Sequence, residues 1–172
     1  MTATPGQTIG PFFGYSLPYE GGPDLVPHNH PDAIRLHGSV RDGAGAPVPD
    51  ALLEIWQADG AGNVPAVGGS LHRDGYTFTG WGRAATDNTG HYTFTTVEPG
   101  APFIALTVFA RGLMNRLFTR IYLPDATDPF LETVPAGRRE TLVAHREPEG
   151  LRFDVVLQGE GETVFLTYPG HS

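Results

Sequence analysis

His28 and His30 are the first residues in this sequence whose type and spacing suggest chemistry. On a strand, alternate residues share a face, so such a pair aims two imidazoles at one point and could hold a metal. Pro27 and Pro31 bracket the pair, which favours a solvated loop. Arg111 follows an apolar run and precedes Gly112. An arginine at the end of a buried strand stands on a rim, where its planar fork could grip a carboxylate; the alternative is a surface ion pair. Gln7-Thr8-Ile9-Gly10-Pro11 leads into the aromatic pair Phe12-Phe13, and a Gly-Pro step lets backbone approach a ligand or partner closely. Asp87-Asn88-Thr89-Gly90 has a faint look of a calcium loop. It lacks the later glutamate and the flanking helices, so it reads as a hairpin turn. Trp56 and Trp81 could stack on a sugar, but Trp56 follows Glu54 and Ile55 in a strand, which favours the core. Gln57 and Asp59 have no partner visible from sequence.

What is missing narrows the chemistry further. The 172 residues include no cysteine and no lysine; all 11 basic residues are arginine, against 19 acidic ones, for a net charge of −8. A thiol nucleophile, a disulfide frame, a cysteine zinc site, a lysine Schiff base and a phosphate-loop lysine are excluded. Any metal must use His, Asp, Glu or Tyr. The acidic balance argues against nucleic acid as a partner. The start, MTATPGQTIGPFFG, carries neither the basic residues nor the apolar run of a signal peptide, and no apolar run is long enough for a membrane span. A soluble, cytoplasmic protein is expected.

The elements that must position these residues are short and mostly extended. Residues 1–33 carry Pro5, Pro11, Pro18, Pro23, Pro27 and Pro31, so this stretch lies over a surface and does not enter a sheet interior. Its apolar residues, Ile9, Phe12, Phe13, Tyr15, Leu17 and Tyr19, need burial, so it reads as an arm packed on this domain or on a partner. Strands are expected at Ile34–Arg41, Ala51–Ala58, Tyr76–Phe78, Trp81–Ala85, His91–Val97, Phe103–Ala110, Leu117–Leu123, Thr141–His145, Leu151–Leu157 and Thr163–Tyr168, with one helical turn at Asp128–Val134. Strands at this spacing, with turns between and almost no helix, predict an all-β antiparallel sandwich over residues 34–172.

A longer pattern runs from Leu36 to Val64: Leu36-x-Gly38-x-Val40, Gly45, Val48, then Leu53-Glu54-Ile55-Trp56-Gln57-Ala58-Asp59 and Gly62. It resembles the signature segment of the intradiol ring-cleavage dioxygenases. Thr4-Pro5-x-Gln7-Thr8-x-Gly10-Pro11-Phe12, Gly82-Arg83 with Thr86-Asp87, Gly90-x-Tyr92 and Thr96-Val97-x-Pro99-Gly100 extend the resemblance over nearly the whole chain. It implies a β-sandwich and a ferric iron held by two tyrosinates and an H-x-H pair, on which a catechol is opened by dioxygen between its hydroxyl-bearing carbons. Phenolates are hard anionic donors suited to ferric iron.

At the metal this chain departs from the family. The signature normally ends Gly-x-Tyr and here ends Gly62-Asn63-Val64; no tyrosine follows Pro99-Gly100; and the H-x-H positions fall on Phe103 and Ala105. Tyr92 is not a ligand position. The sequence is similar to the iron-lacking, alpha-type chains of the family's two-chain protocatechuate branch, notably at Phe109-Ala110-Arg111-Gly112, Arg138–Leu142 and Gln158–Phe165. The resemblance implies that Fe(III) is bound by a partner beta chain and that the hetero-oligomer converts protocatechuate and O2 to 3-carboxy-cis,cis-muconate in the β-ketoadipate route of aromatic catabolism. It also implies that Thr8, Gly10, Pro11 and Arg111 of this chain line the substrate pocket at the subunit interface. Two other readings remain: an intradiol enzyme active alone with an altered iron site, and a β-sandwich binding or structural module without catalysis.

Overall fold

The computed structural model describes residues 10–68 and 71–168. Among the described residues nine strands form two sheets. The first sheet holds β1 (Ala33–Arg41), β4 (His91–Val97), β7 (His145–Glu147), β8 (Gly150–Arg152) and β9 (Val155–Val156), ordered β4-β1-β8-β7 with β9 also on β1. The second holds β2 (Leu52–Trp56), β3 (Trp81–Ala85), β5 (Phe103–Phe109) and β6 (Leu117–Tyr122), ordered β3-β2-β5-β6.

Period-two alternation decides what each strand buries. From the first sheet Leu36, Val40, Tyr92, Phe94, Leu151, Phe153 and Val155 enter the core. From the second, Leu53, Ile55, Ala84, Ile104, Leu106, Val108 and Ile121 meet them. This is the β-sandwich with little helix that the sequence predicts. Every pairing in the second sheet is antiparallel, as are β1–β4 and β7–β8. The first sheet adds two parallel pairings, β1 with β8 and β1 with β9. Leu151–Leu157 is therefore two short strands on one neighbour instead of one. Gly38 allows this: a Cβ there would stand 1.8 Å from the Phe153 carbonyl oxygen between them.

Three other expected strands differ. Tyr76–Phe78 forms no strand, because Asp74 Oδ1 accepts from the Tyr76 and Thr77 amides at 2.8 and 2.7 Å and folds the chain into a turn. Thr141–His145 begins as a 3-10 turn, Glu140–Leu142, and joins a strand only at His145. Thr163–Tyr168 makes isolated backbone bonds, Thr163 to Val156 and Leu166 to Phe118, instead of a ladder. The expected turn at Asp128–Val134 is a helix, Pro129–Thr133, capped by Asp128 accepting from the Phe130 and Leu131 amides.

Much of the proline-rich segment lies on this chain's own sandwich. Along the edge of β4 the Leu25 amide donates to the Thr95 carbonyl and the Thr95 amide donates to the Pro23 carbonyl, while the amide of Arg83 on β3 donates to the Gly22 carbonyl. Arg73 fastens the same stretch, donating to the carbonyls of Gly21, Gly22 and Trp81 and to the hydroxyls of Tyr19 and Thr79. No described helix is long and apolar enough to cross a membrane.

Candidate functional site

Three segments far apart in sequence meet at one end of the sandwich. The first is a 3-10 turn, Gly10–Phe12, running into the short helix α1, Phe13–Ser16. Gly10 takes φ +66°, a left-handed backbone that suits glycine. Phe13 is buried, its ring 6.0 Å from that of Phe109 at the end of β5. The second is the loop before β2, which carries Asp50. Thr86 pins that loop: its hydroxyl donates to the Val48 carbonyl at 2.7 Å and accepts from the Ala51 amide at 3.0 Å. A Cβ on Gly14 would sit 3.2 Å from the Asp50 carbonyl oxygen, so α1 lies directly on this loop. The third is the turn after β5, where Arg111 precedes Gly112 at φ +81°.

Arg111 Nε donates to both carboxylate oxygens of Asp50, at 2.8 and 2.9 Å. The arginine side chain is 58% exposed and the aspartate 9%. This hydrogen bond, and the charge behind it, raises the Arg111 pKa above its ordinary value, so the guanidinium is a fixed cation. Beside it a hollow of about 200 Å³ is lined by Phe13, Phe109, Ala110, Leu113, Met114 and Arg116. Phe12 and Tyr15 of the arm are largely exposed. A cation on a rim flanked by exposed aromatics can receive a carboxylated aromatic ring.

The structure therefore brings Arg111 and the described part of the arm together. Thr8 lies outside the described residues, and of Pro11 only the backbone is described. Nothing near Asp50 in the chain marks it, because its partner is 61 residues away.

Of the positions where the family pattern expects ligands, two lie on the second sheet and one in the loop after β2. Phe103 and Ala105 share the outer face of β5, as an H-x-H pair would, and Val64 is exposed beyond the end of β2. Ala105 borders a groove of about 650 Å³ with Trp56, Pro65, Val67, Trp81 and Phe118. Val64, Phe103 and Ala105 carry no donor atoms, and the Phe103 ring is covered by the Arg120 guanidinium at 4.2 Å. Among the described residues no three His, Asp or Glu side chains gather as a metal-binding group. These residues do not fit a ferric ion.

His28 and His30 act separately. His28 meets Asp24 and Thr95, both at 3.3 Å, while His30 Nδ1 accepts from the Asp32 amide. Asp87–Gly90 is a tight turn but not the hairpin expected: it carries the chain from β3 of the second sheet to β4 of the first, which pair with β2 and β1 and not with each other. Asp87 Oδ1 accepts from the Thr89 hydroxyl and from the His91 and Thr89 amides, and these bonds lower the Asp87 pKa. The expectation that Trp56 is core is overturned: it is 50% exposed on the outer face, opposite Trp81. Ile55 faces inward, so its neighbour must face out. Trp81 stacks on Tyr19 with ring centroids 6.1 Å apart. Gln57 is buried and satisfied, donating to the Ala58 and Val97 carbonyls and accepting from the Thr96 hydroxyl.

Comparison with known proteins agrees with this geometry. The sequence model of a family described as Dioxygenase matches residues 10–105. The chain is 43% identical to the protocatechuate 3,4-dioxygenase alpha chain of Burkholderia cepacia, covering 96% of this chain and 98% of that one. It is 30% identical to the beta chain of the same organism's enzyme, covering 85% and 78%. Among solved structures, the dioxygenase domain of a carbohydrate-binding fusion protein from Streptomyces sp. SirexAA-E matches with a TM-score of 0.56 at 25% identity, covering 92% of this chain and 99% of that domain. Sandwich, signature segment and relatives agree: the chain belongs to the intradiol ring-cleavage dioxygenase family.

Proposed function

We propose that this chain is the alpha-type subunit of a cytoplasmic protocatechuate 3,4-dioxygenase, which lacks iron itself and completes the substrate pocket of an Fe(III)-binding beta chain. The observation that carries this reading is a contrast within one molecule. The positions matching the family's metal ligands are Val64, Phe103 and Ala105, while the rim end keeps a held cation, Arg111, beside an aromatic arm. The likeness to an alpha chain supports the same division of labour. In this reading residues 1–33 form the arm that meets the partner and residues 34–172 form the sandwich.

The ferric centre of the partner supplies activation of the catechol toward dioxygen. This chain's residues bind and orient. Arg111 meets the ring carboxylate of protocatechuate, a charge-assisted contact that plain catechol lacks, and so biases the pocket toward the carboxylated substrate. Thr8, Gly10 and Pro11 of the arm form wall beside the ring, and the arm's aromatic residues exclude water from it.

The test is iron content and visible spectrum, for the chain alone and after co-expression with its beta-type partner. The expected result is a colourless, iron-free lone chain and a red-brown, active complex. Colour and iron in the lone chain would instead identify a self-sufficient enzyme. Stable folding with no affinity for a beta chain would favour a non-catalytic module.

A further inference from the structure

Resting on that reading, we infer that Asp50 is the positioning residue that sets Arg111 for the substrate carboxylate. An arginine has five N–H donors on a flexible stem, and leaving that stem free costs rotamer entropy when a ligand is bound. Here the Nε end is fixed, because one N–H is shared between both Asp50 oxygens. Neither Nη group makes a hydrogen bond with a described residue, so four N–H donors remain on a side chain that is mostly exposed. That is the edge able to meet a carboxylate bidentately.

Asp50 is itself well held. Its loop is clamped by Thr86 through bonds on both sides, to Val48 and Ala51. Its carbonyl lies under Gly14 of the arm, so the residue that anchors Arg111 also seats the arm. Arm and cation are thus set by one rigid loop, which fixes their relative placement before any partner or substrate arrives. Its low exposure matches an anchor more than an exchangeable surface partner.

Two consequences oppose each other. Asp50 brings a negative charge close to where a substrate carboxylate binds, which costs affinity; it also removes the freedom of Arg111, which adds affinity. Positioning predicts that the second outweighs the first.

The experiment uses the co-expressed complex, with protocatechuate as substrate and with catechol as substrate or, where turnover is slow, as competitive inhibitor. Asp50→Ala is expected to raise the protocatechuate KM about tenfold with kcat little changed, the size of one lost charge-assisted hydrogen bond. The change with catechol is smaller, and iron content and complex size stay as in the parent. Asp50→Asn keeps an oxygen that accepts from Nε and falls between the two. An equal loss with both ligands would show a merely structural role and overturn the inference, as would an unchanged or lowered KM for protocatechuate. Arg111→Ala separates the layers. If it raises the protocatechuate KM while both Asp50 variants are silent, only the positioning inference falls. If Arg111→Ala is silent too, the reading of Arg111 as a pocket residue falls with it.

Discussion

His91 Nε2 lies 3.3 Å from His37 Nδ1, and His37 Nε2 lies 2.9 Å from Glu147 Oε2. The chain of contacts joins β4, β1 and the end of β7 on the outer face of the first sheet. The link between the rings needs one nitrogen to donate and the other to accept, so it cannot survive with both imidazoles charged. Burial lowers the His91 pKa first, and the charges of His37 and Arg35 lower it further, against raising contributions from Asp87 and Asp154. A histidine whose folded pKa is depressed binds its proton more readily when unfolded. Stability is therefore greatest above the ordinary histidine range and declines as pH falls from there through the folded pKa. Melting temperature followed from pH 8 to pH 5 should show this decline, and His91→Gln should flatten it. An unchanged slope in that variant would remove His91 from the effect.

Trp56 and Ile55 test the alternation that organises the second sheet. Ile55 is fully buried and Trp56 half exposed. Ile55→Ala is expected to cost about 2–5 kcal/mol by leaving a cavity, whereas Trp56→Ser should stay within about 0.5 kcal/mol of the parent. Urea denaturation midpoints check both values. A large loss for Trp56→Ser would mean that its indole packs more tightly than its exposure indicates.

The same two residues show how much was legible in the sequence. Apolar runs bounded by turn residues placed the strands of the second sheet, because a sheet that buries one face draws such runs from the chain, but they do not say which residues face inward. The place of Trp56 in a strand behind Glu54 and Ile55 favoured the core, whereas alternation from the buried Ile55 puts it outside. The resemblance points to Val64, Phe103 and Ala105 as the positions of the family's ligands, because that match runs along the chain and needs no contact across it. Asp50 was not legible at all. Its role comes from a contact with Arg111 across two loops, and nothing local marks one aspartate among turn residues as a buried partner. Arg73 was missed for the same reason: acceptors for it are spread over Tyr19–Gly22 and Thr79–Trp81.

Tyr92 lies outside the ligand positions that the resemblance implies, and the fold makes it a core donor. Its hydroxyl gives a 2.6 Å bond to the Phe153 carbonyl, and its ring is buried against Phe94. Burial pushes its pKa far upward, so it stays neutral and donating. Tyr92→Phe keeps the ring but strands a buried carbonyl near Gly38, at an expected cost of about 1–3 kcal/mol. Chemical denaturation measures the cost; a neutral substitution would mean that the Phe153 carbonyl finds another donor.

Arg120 sets a fixed positive charge against any metal ion on the outer face of the second sheet. Its guanidinium stands 4.2 Å from the Phe103 ring and 4.8 Å from that of Phe130, and it donates to the Tyr122 hydroxyl and to Asp128, the cap of the Pro129–Thr133 helix. Burial pushes the Tyr122 pKa up to about 12, so that phenol is neutral near pH 7. Installing donors by Val64→Tyr, Phe103→His and Ala105→His should therefore give no coloured ferric chain while Arg120 remains. A fixed cation beside the new imidazoles repels the ion, and the set still lacks the second tyrosinate. Adding Arg120→Ala removes the repulsion and weakens the fold, because two cation–π contacts and the tie to Asp128 go with it, about 1–3 kcal/mol together. Iron analysis of the triple variant is the deciding measurement. Stoichiometric ferric iron with Arg120 in place would show that this cation does not oppose a metal there.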